Sequence, residues 1–133
     1  MLINISQLAK KAHTTIDTIR FYEKKGLLLP KIKASNHYRY YDENSLYQLN
    51  FILNCRHLGL SVKEIIYLLK ELETPEQNCH KINELIAKHT QDLEHKIHTL
   101  TSFKQQLDHL KNRCENNQKI ENCYIVKHLQ THD

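Results

Sequence analysis

Apolar residues recur at steps of three and four through the second half of the chain. No glycine or proline lies between Cys79 and Cys114. Except for His89, the residues of this repeat are apolar or weakly polar, at positions 79, 82, 86, 89, 93, 97, 100, 103, 107, 110 and 114. Such spacing is typical of a coiled-coil seam. The pattern predicts one long helix with a continuous apolar stripe.

The two cysteines at the ends of this stripe indicate how two copies could pair. At about 1.5 Å per residue, the helix from Cys79 to Cys114 is roughly 52 Å long, so these two thiols of one chain cannot share an ion. In an antiparallel pair centred near residues 96–97, each Cys79 lies opposite Cys114 of the other copy. Cys123 could then join them, although the alternative is a seam with incidental cysteines. The register also faces apolar residues with each other, Ile86 with Leu107 and Leu93 with Leu100.

The first half of the chain is divided into shorter amphipathic segments. A helix is predicted over residues 5–12, with Ser6 as its N-cap. A second is predicted over residues 16–25, with Thr15 or Thr14 as its N-cap. Two short helices joined by a few residues are typical of a helix-turn-helix.

A segment with strand-forming residues follows Gly26, which is expected to end the second helix. Residues 27–41 contain leucine, isoleucine and tyrosine with turn-forming residues between them. We predict a two-stranded wing with its tip near residues 34–37. Asp42 is then expected to cap a helix over residues 43–57.

Capping residues also mark the later elements. Ser61 and Glu64 form a predicted capping box that opens a helix reaching about Leu72. Ile125 and Leu129 indicate one or two terminal helical turns. We expect three parts, with residues 1–73 as a winged helix-turn-helix DNA-binding domain, 74–113 as a dimerisation helix, and 114–133 as a metal-binding loop and terminal helix.

The charge is distributed unevenly along the chain, and this distribution indicates a function for the first part. Residues 1–41 carry eight Lys or Arg against Asp17 and Glu23, a net +6, whereas residues 73–133 carry eight against nine, a net −1. A basic head on a near-neutral helical tail indicates nucleic-acid binding, although a solvated basic surface is the simpler alternative. With no signal-peptide pattern and no apolar run near 18 residues, we expect a cytoplasmic protein without a membrane span.

Four cysteines without an export signal are expected to be reduced. Cys79, Cys114 and Cys123 are therefore candidate metal or redox groups, and oxidation of Cys114 and Cys123 to a disulfide is one alternative. Cys55 lies in the middle of a predicted helix and is expected to be a small buried residue. No nucleophile, base and oxyanion-stabilising group converge in the sequence, so an enzyme is not expected.

Three segments resemble the DNA-binding head of MerR-family transcription regulators. They are TIRFYEKKGLL at 18–28, YRYY at 38–41 and NCRHLGLSVKEI at 54–65. The three cysteines resemble those of the family's metal sensors. Residues 79–86 and 54–56 look most like the cadmium/lead-responsive (CadR/PbrR-type) branch, and the mercury-responsive branch is the closest alternative. Phe21 departs from the family's usual tyrosine.

The resemblance implies a mostly α fold with a winged helix-turn-helix head, a long antiparallel coiled-coil helix and a C-terminal metal loop. It also implies a homodimer on a palindromic promoter with an overlong spacer. Metal binding would underwind and bend this double-stranded DNA so that RNA polymerase can use it. The implied DNA contacts are Thr15, Arg20, Tyr22, Lys33, Tyr38, Arg39 and Arg56. For Tyr22 and Tyr38, packing in the core or wing is the alternative role.

The three thiolates imply a soft divalent ion. Copper sensors of the family have Ser where this chain has Cys79, and zinc sensors have a Cys pair where residue 115 is Glu. We expect Cd(II) or Pb(II), with Hg(II) and Zn(II) as alternatives, including a purely structural zinc. His89 is interpreted as seam packing and His80 as solvated. A weak secondary site at His128 and His132 is a further possibility.

Overall fold

The computed structural model describes residues 2–30, 32–33 and 39–131, with the backbone alone at 32 and 33. It separates into two compact units, Met1–Leu85 and Ile86–Asp133. The elements are β1 (Ile3–Asn4), α1 (Ile5–Lys11), α2 (Ile16–Lys24), β2 (Ile32–Lys33), β3 (Arg39–Tyr41), α3 (Glu43–His57), α4 (Val62–Glu71), α5 (His80–Arg113), a 3-10 turn (Ile120–Asn122) and α6 (Tyr124–Gln130). The predicted mostly α fold with a winged head and a long helix is confirmed.

Helix α1 begins two residues earlier than its predicted N-cap allows. Asn4, not Ser6, is the N-cap: the Asn4 Oδ1 accepts the backbone N–H of Gln7 at 2.8 Å, and the Gln7 side chain accepts the N–H of Asn4 at 2.9 Å. This reciprocal pair satisfies two N–H groups that a helix start otherwise leaves without partners. The prediction of Ser6 as the N-cap is therefore wrong, because Asn4 and Gln7 form the capping box that begins this helix.

Helix α2 is bounded as its sequence indicates. Thr15 is its N-cap and accepts the Thr18 N–H at 3.1 Å. At the other end Gly26 has φ of +79°, a conformation that glycine adopts without steric cost. The chain therefore turns sharply after α2 and directs Leu27 and Leu28 into the core.

The wing belongs to a three-stranded antiparallel sheet in the order β1-β3-β2. The predicted pair is present, with Ile32 opposite Tyr40 and Lys33 opposite Arg39. The additional strand β1 pairs with the other edge of β3 and was not predicted, because two residues are too short to show alternation. The predicted tip at 34–37 lies outside the described residues.

Helices α3 and α4 complete the first unit and carry the predicted caps. Asp42 forms a capping box with Ser45, and Ser61 forms one with Glu64. Cys55 on α3 is buried, as expected. The largest fully buried side chains of the described structure lie in this core, namely Tyr41, Leu8, Ile19, Leu27, Leu28, Leu49, Ile52, Leu60 and Ile65.

In the second unit, α6 packs beside the end of α5. The Arg113 guanidinium lies 4.6 Å from the centre of the Tyr124 ring, and the imidazole of His128 stacks on that ring at 5.7 Å. Leu110 is buried. These contacts hold the segment after α5 in a defined position within this unit. Across the described residues, no helix is both long and apolar enough to cross a membrane.

Candidate DNA interface and metal-binding residues

The outer face of α2 presents cations and one aromatic ring. Arg20 is exposed, and Phe21 is 48% exposed with the Lys25 ammonium 5.6 Å from its ring centre. Tyr22, an expected phosphate contact, is only 6% exposed and belongs to the core. Its ring therefore has the packing role that the sequence left as the alternative, and a phosphate contact by its hydroxyl stays a prediction.

A carboxylate joins α2 to the wing. The Arg39 Nη1 donates to Glu23 Oε1 at 2.8 Å, and the Tyr41 hydroxyl donates to Glu23 Oε2 at 2.7 Å. Burial and the hydrogen bond to Glu23 raise the pKa of Tyr41, while the positive charges of Arg39 and Arg20 oppose that rise. The positive charges of both arginines therefore affect the buried Tyr41 hydroxyl, which lies between α2 and β3.

Glu23 was not among the residues singled out from the sequence. A signal existed, because Asp17 and Glu23 are the two acidic residues among eight Lys or Arg in residues 1–41. An acid retained within a basic segment that is expected to meet DNA needs a reason. The structure supplies one, since this carboxylate has two partners on the wing.

The remaining predicted DNA contacts are spread over the first unit. Thr15 caps α2, and its hydroxyl lies 2.9 Å from that of Thr18. The exposed Arg56 donates from Nη1 to the Leu60 carbonyl at 2.8 Å. Lys33 pairs with Arg39 through the backbone of the sheet. Tyr38 lies outside the described residues.

The candidate thiols lie at the two ends of α5. Cys79 is exposed and immediately precedes this helix, whereas Cys114 immediately follows it. Cys123 directly precedes α6. The Cys114 thiol donates to Asn116 Oδ1 at 3.9 Å. It also lies near enough to Cys123 for each thiol to affect the pKa of the other, so the second unit brings these two soft donors together.

The paired thiols differ in their tendency to ionise. Hydrogen bonds from the backbone N–H groups of Val126 and Ile125 lower the pKa of Cys123, with Val126 the larger contributor. Desolvation and the negative charge of Cys123 raise the pKa of Cys114. Cys123 is therefore the thiol that deprotonates first, and thiolate is the form that binds metal.

A single chain does not assemble a larger ligand set within the part that the structure describes. No three His, Cys, Asp or Glu side chains there are grouped so that they could hold a metal ion. Among the histidines, His80 pairs with Glu84 at 2.5 Å, and His128 stacks on Tyr124. His132 lies outside the described residues. The neighbouring thiols of Cys114 and Cys123 thus fit two ligands of a soft ion.

The predicted seam of α5 is open in the monomer. Six large apolar side chains at the recurring positions are between 39% and 64% exposed. They are Ile86, Leu93, Ile97, Leu100, Phe103 and Leu107. Such a row on one helix face is typical of a surface that another helix covers.

A winged helix-turn-helix head, a long helix with an apolar stripe and thiols at both ends of that helix define a class of DNA-binding regulators that dimerise and sense metals. The chain belongs to the MerR family. Residues 3–72 match the MerR HTH family regulatory protein model, and residues 46–110 match the model described as MerR, DNA binding.

Similar proteins include metal-dependent regulators. The chain is 35% identical over 127 residues to a probable heavy metal-dependent transcriptional regulator of Haemophilus influenzae, covering 96% of this chain and 98% of the relative. It is 33% identical over 126 residues to the ZntR homolog of that organism, covering 95% and 93%. The crystal structure of PbrR691 from Ralstonia metallidurans CH34 in complex with lead(II) is 34% identical, with a TM-score of 0.87, and the match covers 96% and 98% of the two chains.

These likenesses extend over nearly the whole chain, from the head to the thiol-bearing end. The protein is a metal-responsive MerR-type transcriptional regulator. Members of this family are DNA-binding regulators and not enzymes. They bind promoter DNA and act as dimers.

Proposed function

We propose that this regulator is a homodimer that responds to Cd(II) or Pb(II) through sites shared between its subunits. Each site takes Cys114 and Cys123 from one subunit and Cys79 from the partner subunit. The proximity of the Cys114 and Cys123 thiols, each of which affects the pKa of the other, is the observation that carries the proposal.

The exposed stripe of α5 supports dimerisation through this helix. Fully burying a leucine-sized side chain contributes about 1.5–3 kcal/mol. A second copy supplies a matching stripe, and antiparallel pairing faces apolar residues with each other from end to end. The same pairing brings the start of one α5 to the end of the other, where the paired thiols lie. A second subunit thus supplies both the cover for the stripe and the third thiolate.

The donor set matches a soft divalent ion. Three thiolates carry a charge of −3, which a 2+ ion largely offsets, and sulfur ligands favour Cd(II), Pb(II), Hg(II) and Zn(II) over hard ions. The likeness to the lead(II) complex of PbrR691 supports a place among sensors of large soft ions. When bound, the ion would tie the loop after α5 of one subunit to the start of α5 in the other.

This metal-mediated link between subunits would couple metal binding to transcription. A ligand shifts an equilibrium only if it binds one state more tightly. A site that spans two subunits meets this requirement because its closure depends on how the two long helices are placed. The metal-bound dimer would favour the state in which Thr15, Arg20, Tyr22, Lys33, Tyr38, Arg39 and Arg56 hold promoter DNA underwound and bent for RNA polymerase.

A thiol redox switch is the second candidate, and the contact between Cys114 and Cys123 also favours it. Two thiols in contact can oxidise to a disulfide with release of two electrons to a peroxide. Transcription measured against peroxide and against buffered Cd(II) separates the two functions. A redox switch responds to peroxide without Cys79, whereas the metal sensor needs Cys79 and the ion.

The deciding experiment is transcription from the controlled promoter with each ion in turn at buffered free concentrations. We expect activation by Cd(II) and Pb(II) at lower free concentrations than by Zn(II), with Hg(II) as the competing response. Cys79→Ser should abolish activation and leave promoter binding intact. Cys55→Ser is the matched control, because it removes a thiol that lies in the core. Equal loss of activation and promoter binding in Cys79→Ser would show that Cys79 is structural.

A further inference from the structure

The carboxylate of Glu23 lies between the two DNA-facing elements of the first unit. Its side chain is 9% exposed, whereas that of its partner Arg39 is 41% exposed. Each oxygen has one partner on β3, with Arg39 on Oε1 and the hydroxyl of Tyr41 on Oε2. Glu23 therefore links α2 to the wing, with one buried partner, Tyr41, and one partly exposed partner, Arg39.

The exposed end of this link contributes little to stability by itself. A partly exposed ion pair is worth on the order of 0–1 kcal/mol. A guanidinium has five N–H donors in a fixed plane, and the contact with Glu23 occupies the Nη1 side. Fixing one edge of this plane sets the direction in which the other edge can meet an acceptor. The pair therefore acts on the orientation of Arg39 more than on folding.

A second cation is a neighbour of Glu23 on the same helix. Arg20 lies three residues before Glu23 on α2, so the two side chains share one face of the helix. The charges of Arg39 and Arg20 also both oppose the raised pKa of Tyr41, whose hydroxyl is bound to Glu23. Two guanidinium groups near one point repel each other unless an anion offsets their charge. Glu23 supplies that anion, so that one cation on α2 and one on β3 can be held on the same side of the head.

We propose that Glu23 is a positioning residue for DNA binding, which orients Arg39 of the wing relative to Arg20 of α2 so that both engage the backbone of one half-site. The proposal rests on the proposed function, in which Arg20 and Arg39 contact DNA. It assigns a role to an acidic side chain that does not itself touch DNA.

The direction in which Glu23→Gln changes DNA affinity distinguishes a positioning role from an effect of net charge. Removing a negative charge from a DNA-binding face raises affinity if charge alone matters. Glu23→Gln keeps an oxygen that accepts the Tyr41 hydroxyl but places an amide beside Arg39 in place of an anion. We expect this variant to bind DNA about fivefold to tenfold more weakly, because Arg39 loses its charge-assisted hydrogen bond.

A double-mutant cycle tests whether the effect passes through Arg39. The probe is a duplex selected from a random-sequence pool for tight binding to the unmodified dimer, and affinity is measured over a range of salt concentrations. Arg39→Ala should weaken binding by a similar factor and reduce the salt slope by about 0.9. Adding Glu23→Gln to Arg39→Ala should change affinity by less than about twofold.

Tyr41→Phe is the control, because it removes the buried hydroxyl and leaves the Glu23–Arg39 pair. We expect a lower melting temperature with DNA affinity unchanged within about twofold. If Glu23→Gln does not fold, Glu23→Ala combined with Tyr41→Phe is compared with Tyr41→Phe alone, since it leaves no buried hydroxyl without its acceptor.

The possible outcomes are distinct. Equal effects of Glu23→Gln with and without Arg39, or tighter binding by Glu23→Gln, would overturn the positioning role. If Arg39→Ala itself leaves affinity and salt slope unchanged, the wing is not a DNA contact, and the proposed interface fails together with the inference drawn from it. The positioning role is supported if the losses caused by Glu23→Gln and Arg39→Ala are not additive and Arg39→Ala reduces the salt slope.

Discussion

At the scale of residues, the head separates side chains that hold the fold from those that can reach DNA. Tyr22 and Tyr41 are aromatic residues of the family-like segments, and both are buried. Arg20 and Phe21 are exposed on α2. The exposed face of α2 therefore presents a cation and an aromatic ring, whereas the ring of Tyr22 packs in the core. DNA contacts by Arg20 and by the Tyr22 hydroxyl stay predictions.

Arg20→Ala should weaken DNA binding and leave metal stoichiometry unchanged. Loss of one phosphate contact reduces the salt slope by about 0.9, and loss of a base contact costs about 1–3 kcal/mol. Fluorescence anisotropy over a salt series gives both quantities. Lys104→Ala, an exposed cation on α5, removes the same charge as a control. Equal loss in both variants would mean that bulk charge, and not Arg20, carries the affinity.

The cap of α1 provides a residue-level test of stability. Asn4→Ala should lower the free energy of unfolding by about 1 kcal/mol, because the N–H of Gln7 loses its acceptor. Ser6→Ala, two positions later and exposed, should change it by less than about 0.5 kcal/mol. Urea denaturation followed by circular dichroism measures both. The reverse order would restore Ser6 as the cap.

At the scale of elements, the sequence predicted those segments whose ends carry a recognisable cap. Helix α3 begins after Asp42 and ends at His57, as the capping residue and the leucine spacing indicated. The long helix was predicted from its repeat and from the absence of glycine and proline. Strand β1 was missed because its two residues are defined by pairing with β3, which is distant in sequence. The Glu23 link was missed for the same reason, since its partners lie 16 and 18 residues away.

The stripe of α5 gives an element-level prediction. Leu100→Lys should weaken dimerisation by at least about tenfold, because a charge would be buried in the seam twice, once from each subunit. Gln91→Lys is the control, since it adds the same charge to an exposed position outside the stripe. Sedimentation equilibrium measures the dimer dissociation constant. Equal dissociation constants for the two variants would show that α5 does not form the interface through this stripe.

At the scale of the whole molecule, the described residues of one copy do not group the three proposed thiol ligands. The described structure brings Cys114 and Cys123 together and places Cys79 at the opposite end of a 34-residue helix. Sequence alone indicated this division, because the length of the helix separates the thiols. The proposed three-thiolate site therefore depends on a second subunit.

Subunit mixing tests this claim most directly. Cys79→Ser subunits are combined with subunits carrying both Cys114→Ser and Cys123→Ser, and Cd(II) is titrated while thiolate-to-metal absorbance is followed. In a shared site, each mixed dimer regains one complete three-thiolate site, formed by Cys79 of one subunit and Cys114 and Cys123 of the other. We expect one tight Cd(II) per mixed dimer and none in either variant alone. A mixed dimer without a tight site would contradict it.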